Sequence, residues 1–180
     1  MTMVPLAEAR AQLSRFVDEA VRTHGRVEIT RNGVRAAVLL SADDYDSLME
    51  TLDILADADL VKELGLALDE LAAGGAQHRG RSRRSARGQA GRSVTYTIVW
   101  SSAARRAIHQ DLPETVAAAC LEFILGPLAE NPRRVGKPLH GKLEGLHAAR
   151  RGEYRVVYRI EEARVVVFIA AVRHRRDAYR

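Results

Sequence analysis

Two clusters of arginine lie near the end of the chain, each close to tyrosine. Arg150 and Arg151 precede the alternating stretch Tyr154-Arg155-Val156-Val157-Tyr158, which places Arg155 where a buried face should begin. Arg173, His174, Arg175 and Arg176 follow one hairpin later, with Tyr179 just beyond. Antiparallel strands joined by a hairpin bring two such clusters side by side. A guanidinium stays charged and forks onto phosphate oxygens, and an exposed tyrosine offers a face on which a base stacks. The set therefore suits a folded RNA phosphate with a stacked base. Two histidines flank it and titrate near neutrality. His147 reads as an ordinary strand histidine, whereas for His174 proton transfer and a structural role stay equally open. His24, His78, His109 and His140 are scattered and show no metal-ligand spacing, so neither metal nor cofactor is expected.

The rest of the chain must position these groups, and its charge divides it. Residues 1–78 hold seven basic and fourteen acidic side chains, 79–92 hold six arginines and no acid, and 93–180 hold fifteen basic and nine acidic. An acidic part joined to a basic part implies mutual attraction, and the basic part alone would favour nucleic acid. The single cysteine, Cys120, lies in an apolar helical run and reads as a buried small side chain, which suits a reducing cytoplasm. No leader peptide or membrane-spanning run is read, so a cytoplasmic protein without a membrane partner is expected.

In the first part Leu6, Ala9, Leu13, Phe16, Val17, Ala20 and Val21 recur at helical spacing, with Pro5 at the start and Gly25 placed to end the helix. Residues 27–30 alternate like a strand, Asn32-Gly33 signals a tight hairpin turn, and 34–40 form the return strand. Ser41 and Asp44 have capping-box-like spacing for a second helix carrying Tyr45, Leu48, Met49, Leu52 and Leu55. Helix, hairpin, helix buries little core alone, and a dimer sharing one sheet is the remedy. Residues 57–73 form a further amphipathic helix with leucines on one side and Asp57, Asp59, Glu63, Asp69 and Glu70 around them.

The segment resembles the Phd/YefM antitoxin family through Ala9-Arg10, Leu13, Ile29-Thr30-Arg31-Asn32-Gly33, Ala36-Ala37-Val38-Leu39-Leu40-Ser41 and Tyr45. The resemblance implies a dimeric operator-binding domain over 1–55, with Arg10 and Arg31 contacting DNA. It also implies an acidic toxin-neutralising helix over 56–75. Residues 76–93, rich in Arg, Gly, Ala and Ser, read as a flexible linker. Such a joint either links a genuine fusion or marks two reading frames run together.

Residues 94–180 read as an α+β domain. A strand at 94–100 leads to helices at 103–110 and from Leu112-Pro113-Glu114 onward, bent or ended at Pro127. A basic loop at 133–140 precedes strands at 146–149, 153–160 and 164–172. The domain resembles the RelE family of ribosome-dependent mRNA interferases, with two helices on an antiparallel sheet. The resemblance rests on Ile98, Ala104-Arg105-Arg106, Leu112-Pro113, Lys137-Pro138-Leu139, Leu143-Glu144-Gly145-Leu146, the run from Arg150 to Tyr158, and the run from His174 to Arg180.

In that family the mRNA 2′-OH attacks the adjacent phosphate, without metal, leaving a 2′,3′-cyclic phosphate and a 5′-OH. By resemblance Arg155 holds the scissile phosphate, Arg173 stabilises charge or acts as acid, and Tyr179 stacks on the substrate nucleotide. His174 joins them as a candidate acid or base. Lys137, Lys142, Arg150, Arg151 and Arg175 become candidate RNA contacts. Fast-cutting relatives place lysines just before the Gly-x-Tyr-Arg motif, where this chain has Leu146-His147-Ala148-Ala149, so the general base is left open. Ribosome-bound mRNA, operator DNA, the chain's own first half and a second copy are the expected partners. Two alternatives remain: an autorepressor whose toxin-like domain is only a corepressor, and a gyrase inhibitor of ParE type.

Overall fold

The computed structural model describes residues 2–73, 95–164 and 166–174. The linker at 76–93, together with Arg175 and Tyr179, lies outside the described residues. The chain divides into two compact units, Met1–Met49 and Glu50–Arg180.

The first unit is a three-stranded sheet with two helices. Strand β1 (Thr2–Pro5) runs parallel to β2 (Val27–Arg31), which pairs antiparallel with β3 (Val34–Leu39). Val4, Ala9, Phe16 and Val27 form its small core. Asn32 and Gly33 both take positive φ, 52° and 78°, so the expected hairpin closes in a two-residue turn. The single helix expected from Leu6 to Val21 is two, α1 (Leu6–Ala11) and α2 (Leu13–Thr23), separated at Gln12. His24 rather than Gly25 takes the left-handed position that closes α2. Ser41 accepts from the backbone of Asp44 at 3.1 Å, which starts α3 (Ala42–Ala56) as its spacing foretold.

The second unit has three layers. Its five strands are ordered β4-β8-β7-β6-β5, comprising β4 (Thr97–Trp100), β5 (Lys137–Pro138), β6 (Leu146–Arg151), β7 (Tyr154–Glu161) and β8 (Val166–His174). The sheet is antiparallel except at β4, which pairs parallel with β8. That corrects the all-antiparallel expectation. The crossover from β4 to β8 carries the whole helical layer, and a connection of such length permits parallel pairing.

On one face lie α4 (Ala58–Ala72) and the end of α3. Ile54, Leu60, Leu64 and Ala67 close over Leu146, Val157, Phe168 and Ala171. Burying three such large side chains contributes about 5–8 kcal/mol before entropy. Asp57 separates the two helices and caps α4, accepting from the Leu60 N–H at 3.0 Å.

On the other face α5 (Ser102–Arg106) runs into a π-helical turn at Ala107–Asp111. There too α6 (Glu114–Phe123) runs into a second π turn at Ile124–Leu128, followed by α7 (Pro132–Val135). Pro127 has no N–H to donate, and the wider turn accommodates it. Ala104, Cys120, Ile124 and Leu128 pack there on Val156, Tyr158, Val167 and Ile169. The stretch 133–140, expected as a loop, thus contains the end of α7 and strand β5. Among the described residues no helix is long and apolar enough to cross a membrane.

Candidate active site

Strand register does the first part of the positioning. Arg150 on β6 stands opposite Arg155 on β7, and Arg155 stands opposite Arg173 on β8. Side chains alternate along a strand, and the neighbours Ala149, Val156 and Val172 all point into the core under α5 and α6. The three arginines therefore share the opposite face, the one covered by α4 and the end of α3. They form a row of like charge across three strands, unfavourable unless countered.

The counter-charges come from those helices. Glu50 lies between two of the arginines and accepts from Arg155 Nε on one oxygen and from Arg150 Nε at 2.6 Å on the other. Asp53, one helical turn on, accepts from Arg155 Nη2 at 3.3 Å. Glu63 on α4 accepts from Arg173 Nε at 2.8 Å and Nη2 at 2.5 Å. Arg155 is only 5% exposed, so its charge depends on these partners. The Glu63 hydrogen bond raises the Arg173 pKa above its ordinary value, burial opposes it, and the charges of Glu63, Asp57 and Asp59 add to the rise. Seven turns' worth of α4 is not needed for this grip, because Glu70 fastens the helix again. It accepts from the Ser102 N–H at 3.0 Å and the Ser102 hydroxyl at 2.9 Å.

The remaining candidates distribute unevenly. His174 pairs with Tyr154, their rings edge to face with centroids 5.0 Å apart, on the face away from the arginine row. The structure therefore does not bring His174 onto the face of Arg155 and Arg173. His147 stacks on Tyr158 on that same opposite face, and burial, then the Arg133 charge, lower its pKa. Arg151 is exposed and points away from Arg150. Lys137 sits half-buried on the edge strand β5, and Lys142 is exposed in the single 3-10 turn Gly141–Leu143. In the first unit Arg10 is exposed in the last turn of α1, and Arg31 is exposed at the hairpin. A cleft of about 760 Å³ opens beside Arg173, lined in part by Lys62, Glu70, Ser102, Arg106 and His174. Among the described residues no group of three or more His, Cys, Asp or Glu is placed to hold a metal ion.

Glu50 and Asp53 escaped the sequence reading. Their i, i+3 spacing puts them on one side of α3, but the apolar run around them drew attention to the other side. Charge counts by segment hold the missing signal. Residues 50–73 contain seven acids and one base, so the acidity of the first part of the chain resides there.

The family model described as antitoxin Phd_YefM of type II toxin–antitoxin systems matches residues 1–74. That described as the ParE toxin of the type II toxin–antitoxin system parDE matches residues 84–179. Toxin RelE of Mycobacterium tuberculosis is 51% identical over 85 residues, which cover 47% of this chain and 87% of that protein. Antitoxin RelB of the same organism is 46% identical over 74 residues, covering 41% of this chain and 83% of that protein. A chain of the solved toxin–antitoxin complex RelBE2 from M. tuberculosis is 46% identical, with 45% of this chain and 99% of that chain covered and a TM-score of 0.43.

Proposed function

From a chain that belongs to the Phd/YefM antitoxin family over residues 1–74 and to the ParE/RelE toxin family over 84–179, a type II toxin–antitoxin module in one polypeptide, we infer a self-restrained mRNA endoribonuclease. The second unit cuts ribosome-bound message. The end of α3 and all of α4 keep it silent, and the first unit dimerises and binds operator DNA through Arg10 and Arg31.

The observation that carries this reading is the arginine row with carboxylates seated on it. A message phosphate has the same call on a guanidinium fork as Glu50 or Glu63, so helix and RNA exclude each other. With the helices gone, the 2′-oxygen loses its proton, bonds to phosphorus, and the 5′-oxygen leaves and takes up a proton. Arg155, Arg150 and Arg173 stabilise the charge that builds on the phosphoryl oxygens. A guanidinium stays protonated, so this role is electrostatic, and one such group is worth about 10²–10³ in rate. Tyr179 stacks the adjoining base. His174, turned to the other face, supports the Tyr154 ring and is not the base.

The test uses the full chain in a translating extract, because α4 supplies part of the second unit's core. Wild type should leave message intact. Glu50→Gln with Glu63→Gln should cut it only when translated, and adding Arg155→Ala should abolish cutting. The ParE description of the matching family favours a second reading, gyrase inhibition. Intact message together with arrested supercoiling in the opened chain would put that reading first.

A further inference from the structure

Three arginines in register are more positive charge than one phosphate requires. Neighbouring strands lie about 4.8 Å apart, so the row from Arg150 through Arg155 to Arg173 is about 10 Å long. The covering helices place two carboxylates along it. Glu50 takes the Arg150–Arg155 end, and Glu63 takes Arg173 with both donors of its fork. The two acids come from separate helices, α3 and α4, with the Asp57 cap between them. Each therefore sits on its arginine by its own packing. Carboxylate and phosphate satisfy the same guanidinium geometry, so two seated carboxylates outline two phosphate positions.

We propose that the row reads two consecutive phosphates of one RNA strand. The scissile phosphate lies between Arg150 and Arg155, its neighbour lies at Arg173, and Glu50 and Glu63 occupy these two positions in the closed chain. The proposal rests on the reading of this face as the RNA site. It assigns Arg173 to the neighbouring phosphate, and it makes the smallest full ligand a nucleoside carrying phosphate on both its 3′ and 5′ oxygens.

The experiment is calorimetric titration of the full chain carrying Glu50→Gln and Glu63→Gln. The probes are adenosine 3′,5′-bisphosphate, adenosine 5′-monophosphate and inorganic phosphate. The bisphosphate should bind at least tenfold more tightly than either single phosphate. Arg173→Ala should reduce it to the affinity of the monophosphate, Arg155→Ala should weaken both nucleotides, and wild type should take up none of the three. Equal affinities, or an Arg173→Ala variant that weakens both nucleotides alike, overturn the proposal. If a thermal melt shows the double variant unfolded, hydrogen exchange of wild type decides instead. Millimolar bisphosphate should then speed amide exchange in residues 58–72 more than the same concentration of phosphate, and equal exchange overturns the proposal. Cleavage is read separately. Bisphosphate preference without cleavage removes the nuclease reading alone, and cleavage without preference removes this proposal alone.

Discussion

Replacing Glu50 by alanine should strand a buried cation, and the cost follows from what remains around it. The Glu50 and Arg155 side chains are 4% and 6% exposed, and removing one partner of such a buried pair costs about 3–5 kcal/mol. Asp53 stays at 3.3 Å from Arg155 and offsets about 1 kcal/mol of that. Arg150, 47% exposed, loses its partner to solvent and adds about 0–1 kcal/mol. The net loss is about 3 kcal/mol. With a urea dependence of about 2 kcal/mol per molar, the unfolding midpoint of the second unit should fall by about 1.5 M. The chain's one tryptophan, Trp100, lies on β4 and packs against that unit's core, so intrinsic fluorescence reports this unit. A double-mutant cycle should give about 2–3 kcal/mol of coupling between Glu50 and Arg155, and less than about 1 kcal/mol between Glu50 and Arg150. A midpoint shift under about 0.5 M, or no coupling to Arg155, would refute the reasoning.

Two further outcomes follow from Tyr158. A Cβ on Gly136 would stand 2.1 Å from the Tyr158 hydroxyl and 3.0 Å from the Ala148 carbonyl oxygen. Tyr158 is buried and donates its hydroxyl to the Pro132 carbonyl, so it has little room to yield. Gly136→Ala should cost about 2–3 kcal/mol in a thermal melt, part of it recovered by Tyr158→Phe, and an unchanged melt would contradict this. Burial also pushes the Tyr158 pKa well above the ordinary 10. Because the folded pKa is the higher, its stabilisation is present below about pH 10 and is lost as pH rises toward the folded value. In an absorbance titration Tyr158 should ionise only as the fold opens, and Tyr158→Phe should delete that late phase. A single phase containing every tyrosine would contradict the burial argument.

Local chemistry was readable where one or two residues decide the backbone. Asn32-Gly33 announced its turn and Ser41 its helix, because both act through neighbours in sequence. Arg155 was readable as a site residue because a charge in an apolar alternating run has no bland explanation. Strand β1 was not readable, since four residues with only Val4 buried show no alternation, and its pairing with β2 is tertiary. The parallel pairing of β4 with β8 and the two π turns depend likewise on what packs against them. The grip of Glu50 joins residues about a hundred positions apart, beyond what a periodic pattern carries.

The face of the second unit's sheet that carries Arg155 is closed by Ile54, Leu60 and Leu64 of the same compact unit. In a two-gene pair the ratio of cover to covered surface drifts with transcription, translation and decay of each product. Here one ribosome makes both, so the stoichiometry is fixed at one to one in every molecule, at any expression level. Dilution cannot separate them, and a burst or a halt in synthesis leaves no excess of either. What can change is only the state of individual molecules, through cutting of the chain or opening of that face. Such a module would respond to events acting on existing protein rather than to the rate at which new protein is made.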